Sequence, residues 1–576
     1  MSDQYLALAL RILADAWDEQ RQSSPLLELQ LGGVLSRLPD LSLEGAQRNS
    51  AAAQGLLQRI NALSDAPLPH PLALALRQAR YRLEGAARQA DWYWTVLDPN
   101  GVGFFGLYAP AAYCGGIVLN GVLQAAQLFR FEHAGDLDRY LGLVADYARM
   151  VEQITERTAG QAARGMRMPR PQLPAARALL AAFKPRARAV LGAAVARLPA
   201  SLAAQAGAFS AELERRIAAL VDAAFDRCAA LLGAEYEALA PTAVGMAQYE
   251  GGAAIYAELV KRHTTLELTP EQIHQRGLER LAQVQAAMRK IRADADAGLA
   301  DDPAGYLGRA ARDPRFSATT TTGVAAVFQR YIDRMEPVFD RVFAQRPRAA
   351  YGVAALPEAL QSSMTFGYYD PPKTDDPVGR FMFNSGNLTR QPLLNIASLT
   401  YHELVPGHHL HLSLQNENDG LHPVGRFAFC NAYNEAWAEY AATLAGELGL
   451  YEAAEERYGR LIMDAFLTSR LVVDTGMNAL GWTLEQGRDY LRANASLAEA
   501  EVLSESLRYS CDMPAQALAY KLGDVEILRL RETMRATLGS RFELRDFHAA
   551  VLGPGALPLP DLEWHLAHVT EARLAA

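Results

Sequence analysis

The chain has 576 residues, 50% of them apolar and 21% charged, with a net charge of −9 and a pI near 5.8. That length can bury a large core and allows about two to four domains, while the acidity argues against nucleic acid, whose phosphates ask for a basic surface. The four cysteines, Cys114, Cys228, Cys430 and Cys511, stand far apart with no C-x-x-C pair, which argues against a disulfide framework and a thiolate zinc site.

Residues 1 to about 92 read as amphipathic helices rich in the good helix formers Ala, Leu, Gln and Arg. The N-terminus carries Asp3 early and lacks the pattern of a secretory leader, so the expected compartment is the reducing cytoplasm. Breaks are expected at Gln22-Ser23-Ser24 and at Pro67-Leu68-Pro69-His70-Pro71. From Pro99 to Phe129 there is no formal charge, which raises the question of a membrane span. Six glycines, Pro110, Asn100 and Asn120 within it favour buried helices or a loop instead.

A helix is expected from Asp136 to about Thr158, then alanine-rich helices over 174–235 with a break at Pro199. A connection bearing Pro and Gly near Ala240–Gly252 suggests a seam, dividing the chain into an N-terminal helical subdomain (1–240) and a catalytic one (241–576). Thr269-Pro270-Glu271 reads as a helix start, with Thr269 as N-cap, Pro in the first position and an acid suited to the helix dipole. Over 345–385, Pro, Gly and aromatics rise, and Tyr351-Gly352-Val353 and Arg380-Phe381-Met382-Phe383-Asn384 look like short strands. The expected class is mainly α with a small β-sheet beside the motif that follows.

Tyr401-His402-Glu403-Leu404-Val405-Pro406-Gly407-His408-His409-Leu410-His411 is that motif, and Asn434-Glu435-Ala436-Trp437-Ala438-Glu439-Tyr440 follows it. Five of the twelve histidines fall within residues 402–422. A hydrolytic zinc site needs three protein ligands and an open position for water, whose pKa drops from 15.7 to about 7 on binding. In an H-E-x-x-H helix the two His are ligands and the Glu is the general base. Here the second His is late. On an unbroken helix, at about 100° per residue, His408 would stand roughly 240° from His402, and His409 on the same face but about 10.5 Å further along. Pro406 and Gly407 should break or bulge the helix and so bring His408 back, with His409 as the other candidate.

On these residues the chain resembles the bacterial domain-of-unknown-function family 885 (DUF885), with its H-E-x-x-P-G-H-H signature. More widely it resembles the helical gluzincins, including thimet-oligopeptidase-like and angiotensin-converting-enzyme-like peptidases. The resemblance runs from about residue 40 to the C-terminus, through Gly251-Gly252, Thr264-Thr265, Arg470-Leu471-Val472-Val473-Asp474-Thr475-Gly476 and Gly481-Trp482. It implies a zincin-like helical fold with a deep cleft and Zn²⁺ held by His402, His408 and Glu435. It also implies Glu403 as general base, and Tyr520 and Tyr509 as donors to the developing oxyanion. Glu439, one turn from Glu435, can serve as the ligand or orient one. Asn384, at the end of a strand that would pair with substrate, is either a substrate contact or a turn residue, and His409 is another candidate contact. Arg508 either clamps a substrate carboxylate or pairs with Asp474. Asn478 stands where most relatives would have His.

The activity implied is zinc-dependent hydrolysis of short peptides. The alternatives are a metal-dependent amide hydrolase acting on a non-peptide metabolite, and a helical scaffold that retains the motif. The expected partners are a short peptide or amide substrate and a second copy of the chain in a homodimer, with no nucleic acid and no membrane.

Overall fold

A computed structural model describes residues 2–33, 35, 37–63, 66–98, 101, 103–357, 361, 366–373, 376–389 and 392–575. Helices dominate and the described strands are three, so the chain is mainly α, as expected. It divides into two compact units, neither continuous in sequence.

The first unit comprises Met1–Pro67, Arg80–Tyr256 and Leu507–Pro514, and so extends past residue 240. Among its helices are α1 (Ser2–Ser23), α2 (Leu43–Asn61), α3 (Ala112–Leu128), α4 (Gly135–Ala163) and α5 (Leu173–Gly192). In α4 the buried Leu137, Tyr140, Leu141, Val144, Tyr147, Ala148, Val151 and Ile154 recur at helical spacing, and Asp136 and Asp138 sit in the first turn. The charge-free stretch becomes α3 and the segment leading into it; its residues 99, 100 and 102 lie outside the described residues. No described helix is long and apolar enough to cross a membrane. Asp512 closes the N-terminus of α3, its carboxylate accepting from the backbone N–H of Tyr113 (2.6 Å) and Cys114 (3.0 Å). All four cysteines are buried, and none is in a disulfide among the described residues.

The second unit comprises Leu68–Ala79, Ala257–Ser506 and Ala515–Ala576. Its first long helix, α6 (Pro270–Ala295), starts as the sequence predicts and adds a capping box. The Thr269 hydroxyl accepts from Gln272 N–H (3.3 Å), and the Gln272 side chain accepts from Thr269 N–H (2.9 Å). Gly277 lets α6 lie close to α10 (Ala454–Asn478), because a Cβ there would stand 2.7 Å from Val472 Cγ2. The sheet has the order β1-β3-β2, with β1 (Ala350–Ala355) parallel and β2 (Gly367–Asp370) antiparallel to the central β3 (Val378–Phe383). Phe381 and Phe383 point inward and meet the ring of Phe328. After the sheet come α7 (Ile396–Glu403), α8 (His408–Glu417), α9 (Asn431–Glu447), α10 and α11 (Ala519–Leu538), the helices that build the site.

Candidate metal centre

The motif is a broken helix. α7 ends at Glu403, and Leu404 already has a non-helical backbone (φ −106°, ψ −119°). Pro406 offers no N–H, and its own carbonyl accepts from Trp437 Nε1 of α9 at 2.8 Å. Gly407 passes so close to α7 that a Cβ would stand 1.8 Å from the His402 carbonyl oxygen and 2.5 Å from that of Tyr401. Only glycine fits there. α8 then starts at His408, on the side of the break that a continuous helix would have denied it.

His402 Nε2 lies 3.8 Å, and His408 Nε2 3.4 Å, from Glu435 Oε2. Ligand atoms of these three residues all fall within 4.8 Å of one another, and among the described residues this is the His, Cys, Asp and Glu cluster so arranged. Tetrahedral zinc, with bonds of about 2.0–2.2 Å, sets its ligand atoms roughly 3.3–3.5 Å apart, close to the 3.8 and 3.4 Å that separate the two imidazoles from Glu435. The electrostatics agree. Burial works against the His402 imidazolium, yet a hydrogen bond to Glu439 and the charges of Glu403, Glu439 and Glu435 outweigh it and raise its pKa. Burial works against the Glu435 carboxylate as well, but His408, His402 and Tyr520 overcome it and hold Glu435 ionised. A pocket that draws a proton onto the His402 imidazole and keeps Glu435 ionised is one that suits a cation.

Behind the three residues the support is polar and buried. Glu439 Oε2 lies 3.5 Å from His402 Nδ1, and its other oxygen accepts from Arg460 (2.6 Å) and Lys521 (2.9 Å). Lys521 also meets Asp464 (3.0 Å) and Asp524 (2.9 Å). Burial disfavours its ammonium, but these three carboxylates hold its pKa above the usual lysine value. Tyr520 stacks near His402 with ring centroids 6.1 Å apart, and its hydroxyl bonds to Glu435. The guanidinium of Arg470 lies over two rings, 4.9 Å from the centroid of Tyr520 and 4.2 Å from that of Phe466. Glu403, next to His402, feels both imidazoles and Glu435; burial is the largest influence and raises its pKa.

A family model described as "bacterial protein of unknown function (DUF885)" matches residues 25–566. The chain belongs to the DUF885 family. Its fold is shared with a solved structure described as "the putative lipoprotein from Colwellia psychrerythraea", at 24% identity and a TM-score of 0.84 over 99% of both chains. A second, "a putative lipoprotein of unknown function from Shewanella oneidensis", is 17% identical with a TM-score of 0.70, over 96% of this chain and 99% of that one. No curated protein matches.

Of the site residues expected in this DUF885 protein, the structure brings together His402, Glu403, His408, Glu435, Glu439 and Tyr520. His409 lies elsewhere: it is fully buried, bonded through Nδ1 to the Tyr369 hydroxyl (2.8 Å) and through Nε2 to the Ala349 carbonyl (3.1 Å), and burial lowers its pKa to about 4. Asn384 is also fully buried; its amide donates to the Gln361 carbonyl (2.8 Å) and accepts from Gly386 N–H (3.1 Å), the pattern of a turn residue. Asp474 accepts from the backbone N–H of Ala515 with both oxygens (3.1 and 3.0 Å), holding Ala515 at φ +67° just before α11. Asn478 donates back to the Asp474 carbonyl one turn earlier at 3.0 Å. Arg508, over the ring of Tyr113 at 5.0 Å, and the fully buried Tyr509 belong to the first unit. The sequence reading missed the contacts of His411 with His408 and of Arg460 and Lys521 with Glu439. The i, i+3 spacing of His408 and His411 was a usable signal for the first of these.

Proposed function

We propose that this DUF885 protein is a zinc-dependent hydrolase that cleaves the peptide bonds of short peptides. The observation that carries the reading is the convergence of His402, His408 and Glu435 beside Glu403. His402, His408 and Glu435 would hold a zinc ion, which when bound would supply Lewis acidity and bring the pKa of a water to about 7. Glu403 takes a proton from the attacking water and returns it to the departing amine as the C–N bond breaks; the burial that raises its proton affinity suits both tasks. Glu439 fixes the ring of His402, and Arg460 and Lys521 fix Glu439. Tyr520, whose hydroxyl bonds to Glu435, would turn from it to donate to the carbonyl oxygen, where negative charge develops, and such a donor contributes roughly 10²–10³ in rate.

The test is hydrolysis of a panel of short peptides by the zinc-loaded wild-type protein and by Glu403→Gln, each with its zinc content measured. The expected result is cleavage by the wild type, and a variant that keeps its zinc but has lost activity by at least about 10²-fold. Peptides that all survive a fully zinc-loaded wild type contradict the peptidase reading, and undiminished activity in Glu403→Gln contradicts the assignment of the base.

A further inference from the structure

Each candidate metal-binding imidazole has a second nitrogen whose partner decides where its proton sits. For His402 that partner is the Glu439 carboxylate. For His408 it is a third histidine: His408 Nδ1 lies 3.1 Å from Nε2 of His411, one turn further along α8. His411 is 2% exposed, and its own Nδ1 is buried with no hydrogen-bond partner among the described residues.

We propose that His411 is the positioning residue of His408, accepting the His408 Nδ1–H on its Nε2 and so leaving the His408 Nε2 lone pair free for the metal. This rests on the metal reading above. A neutral imidazole carries one proton, so the alternative arrangement has a definite consequence. Were His411 to donate from Nε2, His408 would accept on Nδ1 and carry its proton on Nε2, facing Glu435 Oε2 at 3.4 Å. His408 could not then take a metal. The metal-competent arrangement instead requires the proton of His411 on Nδ1, the buried atom without a partner among the described residues. His408, His409 and His411 thus do three different jobs within four residues: ligand, strut to the Ala349 carbonyl, and acceptor behind the ligand.

The acceptor role separates from simple bulk by reach. A glutamine oxygen stands as many bonds from Cβ as histidine Nε2 does, an asparagine oxygen falls one bond short, and leucine has no acceptor. The experiment measures zinc affinity, by competition with a chromophoric chelator, and the visible spectrum of the cobalt-substituted protein, for the wild type and for His411→Gln, His411→Asn and His411→Leu. Supporting partners of metal ligands are worth about 10–100-fold in affinity, so Asn and Leu are expected to lose about that much and shift the cobalt bands, while Gln stays within about threefold of wild type. A Leu variant with wild-type affinity and cobalt spectrum overturns the proposal, as does a loss in which Gln fares no better than Asn. If the Leu variant does not fold, the Gln against Asn comparison decides. A wild-type protein that binds no zinc defeats the metal reading itself and takes this proposal with it, an outcome visible before any variant is made.

Discussion

Neighbouring histidines in this motif differ in what is left for them to bind. His408 presents Nε2 to Glu435, whereas both ring nitrogens of His409 are already engaged, with the Tyr369 hydroxyl and the Ala349 carbonyl. The two therefore respond differently to removal. His408→Ala should weaken zinc binding more than about 100-fold, beyond the 10–100-fold that loss of a supporting partner costs. His409→Ala should keep its zinc and instead lose about 1–3 kcal/mol of stability, since it strands a buried hydroxyl and a carbonyl. Equilibrium dialysis and chemical denaturation of both variants measure the two effects, and the reverse pattern would exchange the ligand assignment. At this scale the types and spacing of the residues were legible, down to the two candidates for the second ligand. What local spacing could not show was which histidine would find its nitrogens occupied, because the partners Tyr369 and Ala349 are 40 and 60 residues away. The same holds for Glu439: one turn of helix made it a rival to Glu435, and its capture by Arg460 and Lys521 is a long-range event.

The element that sets the site is the turn between α7 and α8. Proline and glycine announced the break, but not that Gly407 is required for contact: its φ of −83° is not the left-handed value that calls for glycine, and the obstacle is the His402 carbonyl 1.8 Å from any Cβ. Gly407→Ala should accordingly destabilise the fold by about 1–3 kcal/mol or more, as overpacking does, and displace His408 from Glu435. Gly55, exposed within α2 with nothing near its missing Cβ, is the control. Gly55→Ala should stabilise by roughly 0.5–1 kcal/mol through helix propensity and a less free unfolded chain. Melting temperature and zinc content of both variants check this; similar melting shifts for the two would remove the steric account of the turn. The start of α6 was legible because a capping box is local, and β1 and β3 because each carries a short hydrophobic run. β2 was missed: Gly-Tyr-Tyr-Asp is four residues long and half-buried throughout, without the alternation that marks a strand.

For the whole molecule, the mainly α class followed from composition and helical periodicity, but the division of the chain did not. Residues 507–514 return to the first unit between two segments of the second, so Arg508 and Tyr509 share a sequence neighbourhood with Tyr520 without sharing its unit. Sequence proximity does not carry that division. The second unit carries a buried charge network in which Lys521 serves Glu439, Asp464 and Asp524. Lys521→Met leaves three enclosed carboxylates with one cation fewer and should cost about 3–5 kcal/mol in chemical denaturation, the range for breaking a buried pair. A loss below about 1 kcal/mol would mean that Arg460 and Arg280 balance the acids alone.

All of this converges on whether one divalent ion sits between α7, α8 and α9. Crystals grown with zinc and measured at the zinc absorption edge locate it directly. The account predicts one strong anomalous peak per chain within bonding distance of His402 Nε2, His408 Nε2 and a Glu435 carboxylate oxygen. No peak there, or a peak held by other side chains, would contradict it.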